Sequence, residues 1–228
     1  MKTINKKQFG LSVIILAACA IVPLIFDPET SYVVYFLFMA FIYVTLTQAW
    51  NLVAGYTGQV SLGHHAFFGV GAYVVAIAWS RDLIGYLDPL GMLMAGCAAA
   101  FLAVLVGIPL LSKLKGDYFA LGTLGLGEIM RLMTIQGRSF TAGTTGILLP
   151  SSSFTTLTPH YYVALFLSLL AIGITFYMTK SRIGLALVAV RDDEAAAAAS
   201  GINILKFKVF VFAVGAFLVG LCGALQAY

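Results

Sequence analysis

The sequence predicts an all-α fold, a polytopic transmembrane helical bundle, and three observations predict it. The chain has 228 residues of which 61% are hydrophobic, and its mean hydropathy is +0.99. Charged residues make up 10%, against roughly 25% in an average soluble domain. Apolar runs recur along the whole chain, and each helical crossing takes about 20 such residues plus a short connection. About seven spans therefore fill residues 1–228 as a single transmembrane domain, which excludes a folded soluble catalytic domain. Disordered or collagen-like chains are excluded too, because they need low hydrophobicity or a strict glycine period.

The expected spans run from about Phe9 to Phe26, Tyr32 to Ala54, Ala66 to Trp79, Leu90 to Leu111, Tyr118 to Ile135, Tyr161 to Thr179 and Phe207 to Ala227. The net charge of +4 raises the question of a nucleic-acid surface, and the placement of the cations answers it. With the N-terminus cytoplasmic, the inner ends carry Lys2, Lys6, Lys7, Lys113, Lys115, Lys180, Arg182, Arg191, Lys206 and Lys208, leaving Arg81, Arg131 and Arg138 elsewhere. Asp27, Glu29, Asp82 and Asp88 fall in the outer loops. This asymmetry obeys the positive-inside bias, so the basic balance reports topology in a lipid bilayer and no nucleic-acid partner is expected. Cys19, Cys97 and Cys222 lie in apolar spans, where a thiol packs as a small hydrophobe, and no metal site is expected. Leu16-Ala17-Ala18-Cys19 resembles a lipoprotein cleavage box. The apolar run continues to Phe26, however, and a retained first helix is the expectation.

Four stretches depart from plain apolar helix. NLVAGYTGQVSLGHHAFFGVGAY, from Asn51 to Tyr73, combines Gly55, Gly58 and Gly63 with polar Asn51, Gln59, Ser61, His64 and His65. Irregular backbone at membrane depth survives only when buried in protein or lining water, so a broken or re-entrant segment near a pathway is expected. A tight cytoplasmic turn followed by a glycine-packed helix is the alternative. For the paired histidines, solvation or ordinary hydrogen bonding is expected, since a metal would need further ligands.

The fifth span, KGDYFALGTLGLGEIMRLM, places Glu128 and Arg131 three residues apart on one helical face. An intramembrane ionisable pair marks a pathway, unless Arg131 snorkels to the outer interface with Glu128 neutralising it. Lys115 and Asp117 are expected to fix the start of this helix, Asp117 beside the positive end of the helix dipole. Residues 136–160, rich in Ser, Thr, Gly and Pro, form an expected external loop. Its length suits a docking surface for an external partner.

The fourth stretch, residues 180–208, reads KSRIGLALVAVRDDEAAAAASGINILKFK and is expected to be a cytoplasmic loop. Asp192 and Asp193 suit an N-cap, Glu194 suits the positive helix end, Ala195 to Ala199 have the highest helix propensity, and Gly201 suits a stop. These residues predict a short surface helix of about two and a half turns, near 13 Å long, with a small-residue face open to a partner. An ordinary interhelical connector is the alternative.

In order, NLVAGYTGQVSLGHHAFFGVGAY, GDYFALGTLGLGEIMR, TAGTTGI, RDDEAAAAASGIN, Lys208 and the helix ending GLCGAL resemble the LivH/LivM permeases of ABC importers of branched-chain amino acids. The resemblance covers roughly Gln48 to Leu225. It implies a bacterial inner-membrane, multi-pass transport subunit that is not itself an enzyme and binds no cofactor. It also implies a second permease subunit, an external solute-binding protein, and two ATPase subunits that carry ATP and magnesium. Arg191, Asp192, Asp193, Glu194, Gly201 and Asn203 would form the ATPase-coupling loop. That agrees with the absence of any G-x-x-x-x-G-K-[ST] phosphate loop.

In an alternating-access cycle, Gly55, Gly58 and Gly63 would absorb backbone changes, while Asn51, Gln59, Glu128 and Arg131 would line or gate the pathway. Two features depart from the family pattern: Ala142 stands where a second glycine is usual, and the chain stops at Tyr228 and looks C-terminally truncated. Urea or amide transport within the family, and a gradient-driven secondary carrier using Glu128 and Arg131, are the competing functions, with a non-transporting scaffold as a third.

Overall fold

The computed structural model describes residues 6–27, 31–149 and 156–228, with side chains from Ile15 onward. Lys2, Glu29 and residues 150–155 of the expected external loop lie outside the described residues. The regular elements among the described residues are all helices: α1 (Lys6–Ile25), α2 (Tyr32–Thr57), α3 (His64–Ser80), α4 (Pro89–Lys113), α5 (Asp117–Gln136), α6 (Arg138–Thr141), a short 3-10 turn (Gly143–Thr145), α7 (Thr158–Lys180), α8 (Arg182–Asp192), α9 (Glu194–Ala199) and α10 (Ile204–Ala227).

Local chemistry sets several of these boundaries. Asp88 caps α4 by accepting from Leu90 N at 2.9 Å, with Pro89 in the first turn where its missing N–H is harmless. Gly58 ends α2 at φ 70° and returns its N–H to Ala54 O, a left-handed stop that favours glycine. Asn203 starts α10 by accepting from Lys206 N at 3.0 Å.

Helices occupy all seven expected positions, but four of them, α2, α4, α7 and α10, are long and apolar enough to cross a membrane. Among the described residues, length and composition alone thus support four crossings of the expected seven. With 17 residues, α3 reaches only about 26 Å, short of a hydrocarbon core of about 30 Å. In α5 the charges of Asp117, Glu128 and Arg131 interrupt the apolar run, and the described apolar part of α1 is Ile15–Ile25. Cys19 lies in mid-helix, its carbonyl accepting from Tyr161 Oη at 2.6 Å, while Tyr162 Oη donates to Ala20 O at 3.1 Å. These bonds hold α1 against α7.

The central element is α10, which packs against α2, α3, α4, α7 and α8. Val211, Phe212, Ala216, Leu218 and Cys222 on it are wholly buried. Around Phe212, the rings of Phe67 and Phe119 pack edge-on at 5.3 and 5.8 Å. On the other side of the core, Trp79, Tyr86 and Tyr228 form a second aromatic cluster. A Cβ at Gly71 would overlap the Gly220 carbonyl, and one at Gly223 would overlap the Phe68 carbonyl. The α3 and α10 backbones therefore touch, the close approach that small residues permit between membrane helices. Outside, Leu24, Phe101, Leu121, Phe166 and Tyr177 are exposed, as expected of a bundle whose solvent is lipid.

Candidate functional site

The stretch Arg191 to Asn203 is a surface structure built from caps. Asp193 accepts from Ala195 N at 2.8 Å and Ala196 N at 3.1 Å and so starts α9. At the other end Ile202 N bonds Ala197 O at 3.1 Å and Gly201 N bonds Ala198 O at 2.9 Å, with Gly201 at φ 81°. That pair of bonds is the glycine-terminated stop seen at many helix ends.

The surface helix has six residues, about 9 Å, and is shorter than expected. Asp192 instead ends α8, an 11-residue helix over the stretch expected to be loop, and its carboxylate lies 3.1 Å from Arg191 Nη2. Only Ala197 of the alanine run is buried, and Ala195, Ala196, Ala198, Ala199 and Gly201 are exposed.

Two anchors hold this unit on the bundle. Arg191 Nη1 donates to Gly55 O at 3.2 Å, and its side chain lies against Gly58. A cation there also meets the negative end of the α2 dipole. The second anchor is Glu194, whose Oε1 is 2.5 Å from Lys208 Nζ and whose Oε2 is 3.3 Å from Lys115 Nζ. The Lys208 side chain is 2% exposed. Lys115 therefore grips Glu194 rather than fixing the start of α5, which follows Gly116, with Asp117 in its first turn. Sequence reasoning places Lys208 among the cytoplasmic cations and the segments of the family resemblance but pairs it with no carboxylate, although a lysine at the head of so apolar a helix signals a buried carboxylate partner.

Burial works to raise the Glu194 pKa, but the hydrogen bonds and charges of Lys208 and Lys115 together outweigh it and hold the carboxyl below its ordinary 4.5. A depressed carboxylate pKa contributes stability that is complete above the unfolded value and lost as pH falls through the folded one. Protection of α9 from hydrogen exchange, corrected for the intrinsic rate, should thus stay level at pH values well above the ordinary 4.5 and fall as pH drops below it. Glu194→Gln should remove that step. A step near pH 6 would assign the response to another group.

The residues at the α2–α3 junction are brought together around six non-helical residues, 58–63. Gln59 and Ser61 are buried, 5% and 2% exposed. Trp50 Nε1 donates to Ser61 O at 2.9 Å, and His64 Nδ1 lies 2.9 Å from Ser61 Oγ. Leu62 N donates to Thr123 Oγ1 at 3.0 Å, and Gly63 abuts the Thr123 carbonyl, so the junction is seated on α5. Asn51 Oδ1 covers Gly55, the residue whose carbonyl receives Arg191. Gln59 Oε1 and His64 Nε2 are buried without hydrogen-bond partners, a costly state for a polar atom.

Glu128 and Arg131 form an i,i+3 pair at 3.1 Å, with side chains 57% and 67% exposed. They are not enclosed within the bundle. Arg131 lines a cleft of about 600 Å³ between α3 and α5, together with His65, Gly69, Tyr73, Gly127 and Thr134. Glu128, Asn51 and Gln59 are not among its lining residues, so the expected polar residues do not share one wall. A smaller cleft of about 450 Å³ is lined by Trp50, His64, His65 and Phe68. Among the described residues, no group of three or more His, Cys, Asp or Glu side chains could hold a metal ion.

The family described as branched-chain amino acid transport system, permease component, matches residues 32–228. The chain belongs to that family. It is 29% identical over 218 residues to the high-affinity branched-chain amino acid transport system permease protein LivM of Salmonella typhimurium strain LT2, a match covering 83% of this chain and 51% of the relative. To the protein of the same name from Escherichia coli K12 it is 30% identical, with the same coverage. The chain thus spans about half the length of the curated relatives it matches. No solved structure matches it. As a permease component with four helices long and apolar enough to cross a membrane, it is a multi-pass protein of the inner membrane.

Proposed function

We propose that the chain is the membrane-spanning subunit of an ATP-driven ABC importer for leucine, isoleucine and valine. The observation that carries this reading is α9, a rigidly capped helix with an exposed small-residue face, anchored through Arg191 and Glu194 at the basic end of the bundle. Lys113, Lys115, Lys180, Arg182, Lys206 and Lys208 flank it in the sequence or in space, and the positive-inside bias supports a cytoplasmic position. ATP hydrolysis belongs to two separate ATPase subunits docking there. A second permease subunit closes the membrane pathway, and a solute-binding protein delivers the amino acid from outside. The cleft between α3 and α5 is the best-supported pathway surface, since it joins an apolar wall of Val70, Val74 and Ile77 to Arg131, Tyr73 and Thr134. The exposed flank of α5, bearing Glu128, Ile129 and Leu132, suits cover by that second subunit. In the assembled complex α1, α3 and α5 complete the seven crossings.

The test is affinity purification of the full-length protein from native membranes, with identification of everything retained in mild detergent. An ATPase bearing a phosphate loop should be retained, and should be lost when Asp192 to Gly201 is replaced by a Gly/Ser linker. Uptake of labelled leucine should require ATP and be competed by isoleucine and valine but not urea. Uptake that follows the proton gradient and ignores ATP depletion would assign the chain to secondary carriers.

A further inference from the structure

Lys208 is a lysine 2% exposed, on the fifth residue of α10, near the positive end of that helix dipole where a cation is disfavoured. Burying it costs free energy, and Glu194 is the carboxylate that offsets the cost. Stability alone does not call for such a pair, because well-packed apolar residues of similar size serve as well. The best-attested use of a buried ion pair is to set register or to switch. What the pair connects is therefore informative.

Glu194 stands in the first turn of α9 and holds one lysine with each carboxylate oxygen. Through Lys208 it reaches α10, whose backbone touches α3 at Gly71, Gly220 and Gly223, and α3 supplies His65, Gly69 and Tyr73 to one wall of the 600 Å³ cleft. Lys115 leads instead to α5, which begins two residues later and supplies Gly127, Arg131 and Thr134 to the opposite wall. We infer that Glu194, Lys208 and Lys115 form a forked ionic tether that links the exposed α9 helix to both walls of the α3–α5 cleft. Glu194 and Lys208 are positioning residues: displacement of α9 by a bound ATPase pulls on both walls at once, and the cleft changes width. This rests on the proposal that α9 docks an ATPase.

The test uses the complete importer reconstituted in lipid vesicles, with ATP hydrolysis and leucine uptake measured together. Glu194→Gln combined with Lys208→Met removes the tether without leaving a buried unpaired charge. Normalised to the ATPase it retains, the doubly substituted complex should move at least about tenfold less leucine per ATP hydrolysed. Spin labels at Ile77→Cys and Thr134→Cys should report a nucleotide-dependent change in cleft width in the otherwise unaltered complex and none in the doubly substituted one. Lys208→Arg, which keeps the charge pair, should retain coupling.

Unchanged leucine per ATP with the tether removed overturns the inference. Failure of that variant to assemble, where Lys208→Arg assembles, overturns it as well, because the pair would then be needed for folding. If the unaltered complex takes up leucine without ATP, the proposed function itself fails, and that result is read before either variant.

Discussion

Gly223→Leu should separate α10 from α3 and leave a bundle that inserts but does not pack. The new side chain would begin at a Cβ overlapping the Phe68 carbonyl and approaching Ala72 N. Backbone atoms cannot rotate away as a side-chain tip can, so relief requires moving a helix. Overpacking of this kind costs about 3 kcal/mol or more at its severe end, a large fraction of the 5–15 kcal/mol that holds a domain together. Cys222, wholly buried beside it, offers a direct readout in a background with Cys19→Ser and Cys97→Ser. A thiol-reactive dye should label Cys222 at a temperature more than about 5 °C lower than in the parent. Gly173→Leu is the control, because nothing lies within 4 Å of its built Cβ, and it should leave labelling unchanged. Equal labelling in the two variants would mean that α3 and α10 are not in backbone contact.

Much of the fold was legible because one-dimensional signals control it. Apolar run length located every long helix, and the special residues of RDDEAAAAASGIN predicted a cap and a stop that the structure contains: Asp193 starts α9 and Gly201 ends it. Helix count above a spanning length was less legible, since the junction at residues 58–63 consumes the length that α3 needed. The alanine run also suggested a longer surface helix than exists, because Asp193 takes an extended conformation at φ −156° and breaks α8 from α9.

What stayed hidden is tertiary. Lys115 is far in sequence from Glu194, Glu194 and Lys208 lie 14 residues apart on different helices, and no periodicity pairs any of them. Similarly, the polar set Asn51, Gln59 and Glu128 was grouped by chemistry alone. The chain puts Gln59 in the buried junction and Glu128 on an exposed flank, paired to its own helix neighbour. Residue type identified which groups would matter, and packing decided which of them meet.

Gly201→Trp should abolish retention of the ATPase while leaving the membrane bundle intact. Gly201 is exposed, at φ 81°, and no atom lies within 4 Å of a Cβ built there. A bulky side chain therefore starts from open surface and projects into the space proposed for a docked partner. Two effects must be separated, because the left-handed backbone alone strains any non-glycine residue by about 1–2 kcal/mol. Gly201→Asn separates them: asparagine tolerates this conformation at helix ends and adds little bulk. Retention near the parent level for Gly201→Asn, with at least about a tenfold loss for Gly201→Trp, would assign the effect to steric exclusion, worth about 1.4 kcal/mol or more. Ala198→Trp, on the exposed part of the same helix and compatible with its helical backbone, should reproduce the loss without any backbone strain. If both tryptophan variants retain the ATPase, the docking surface lies elsewhere at the basic end of the bundle, and α9 is a connector held in place by Glu194.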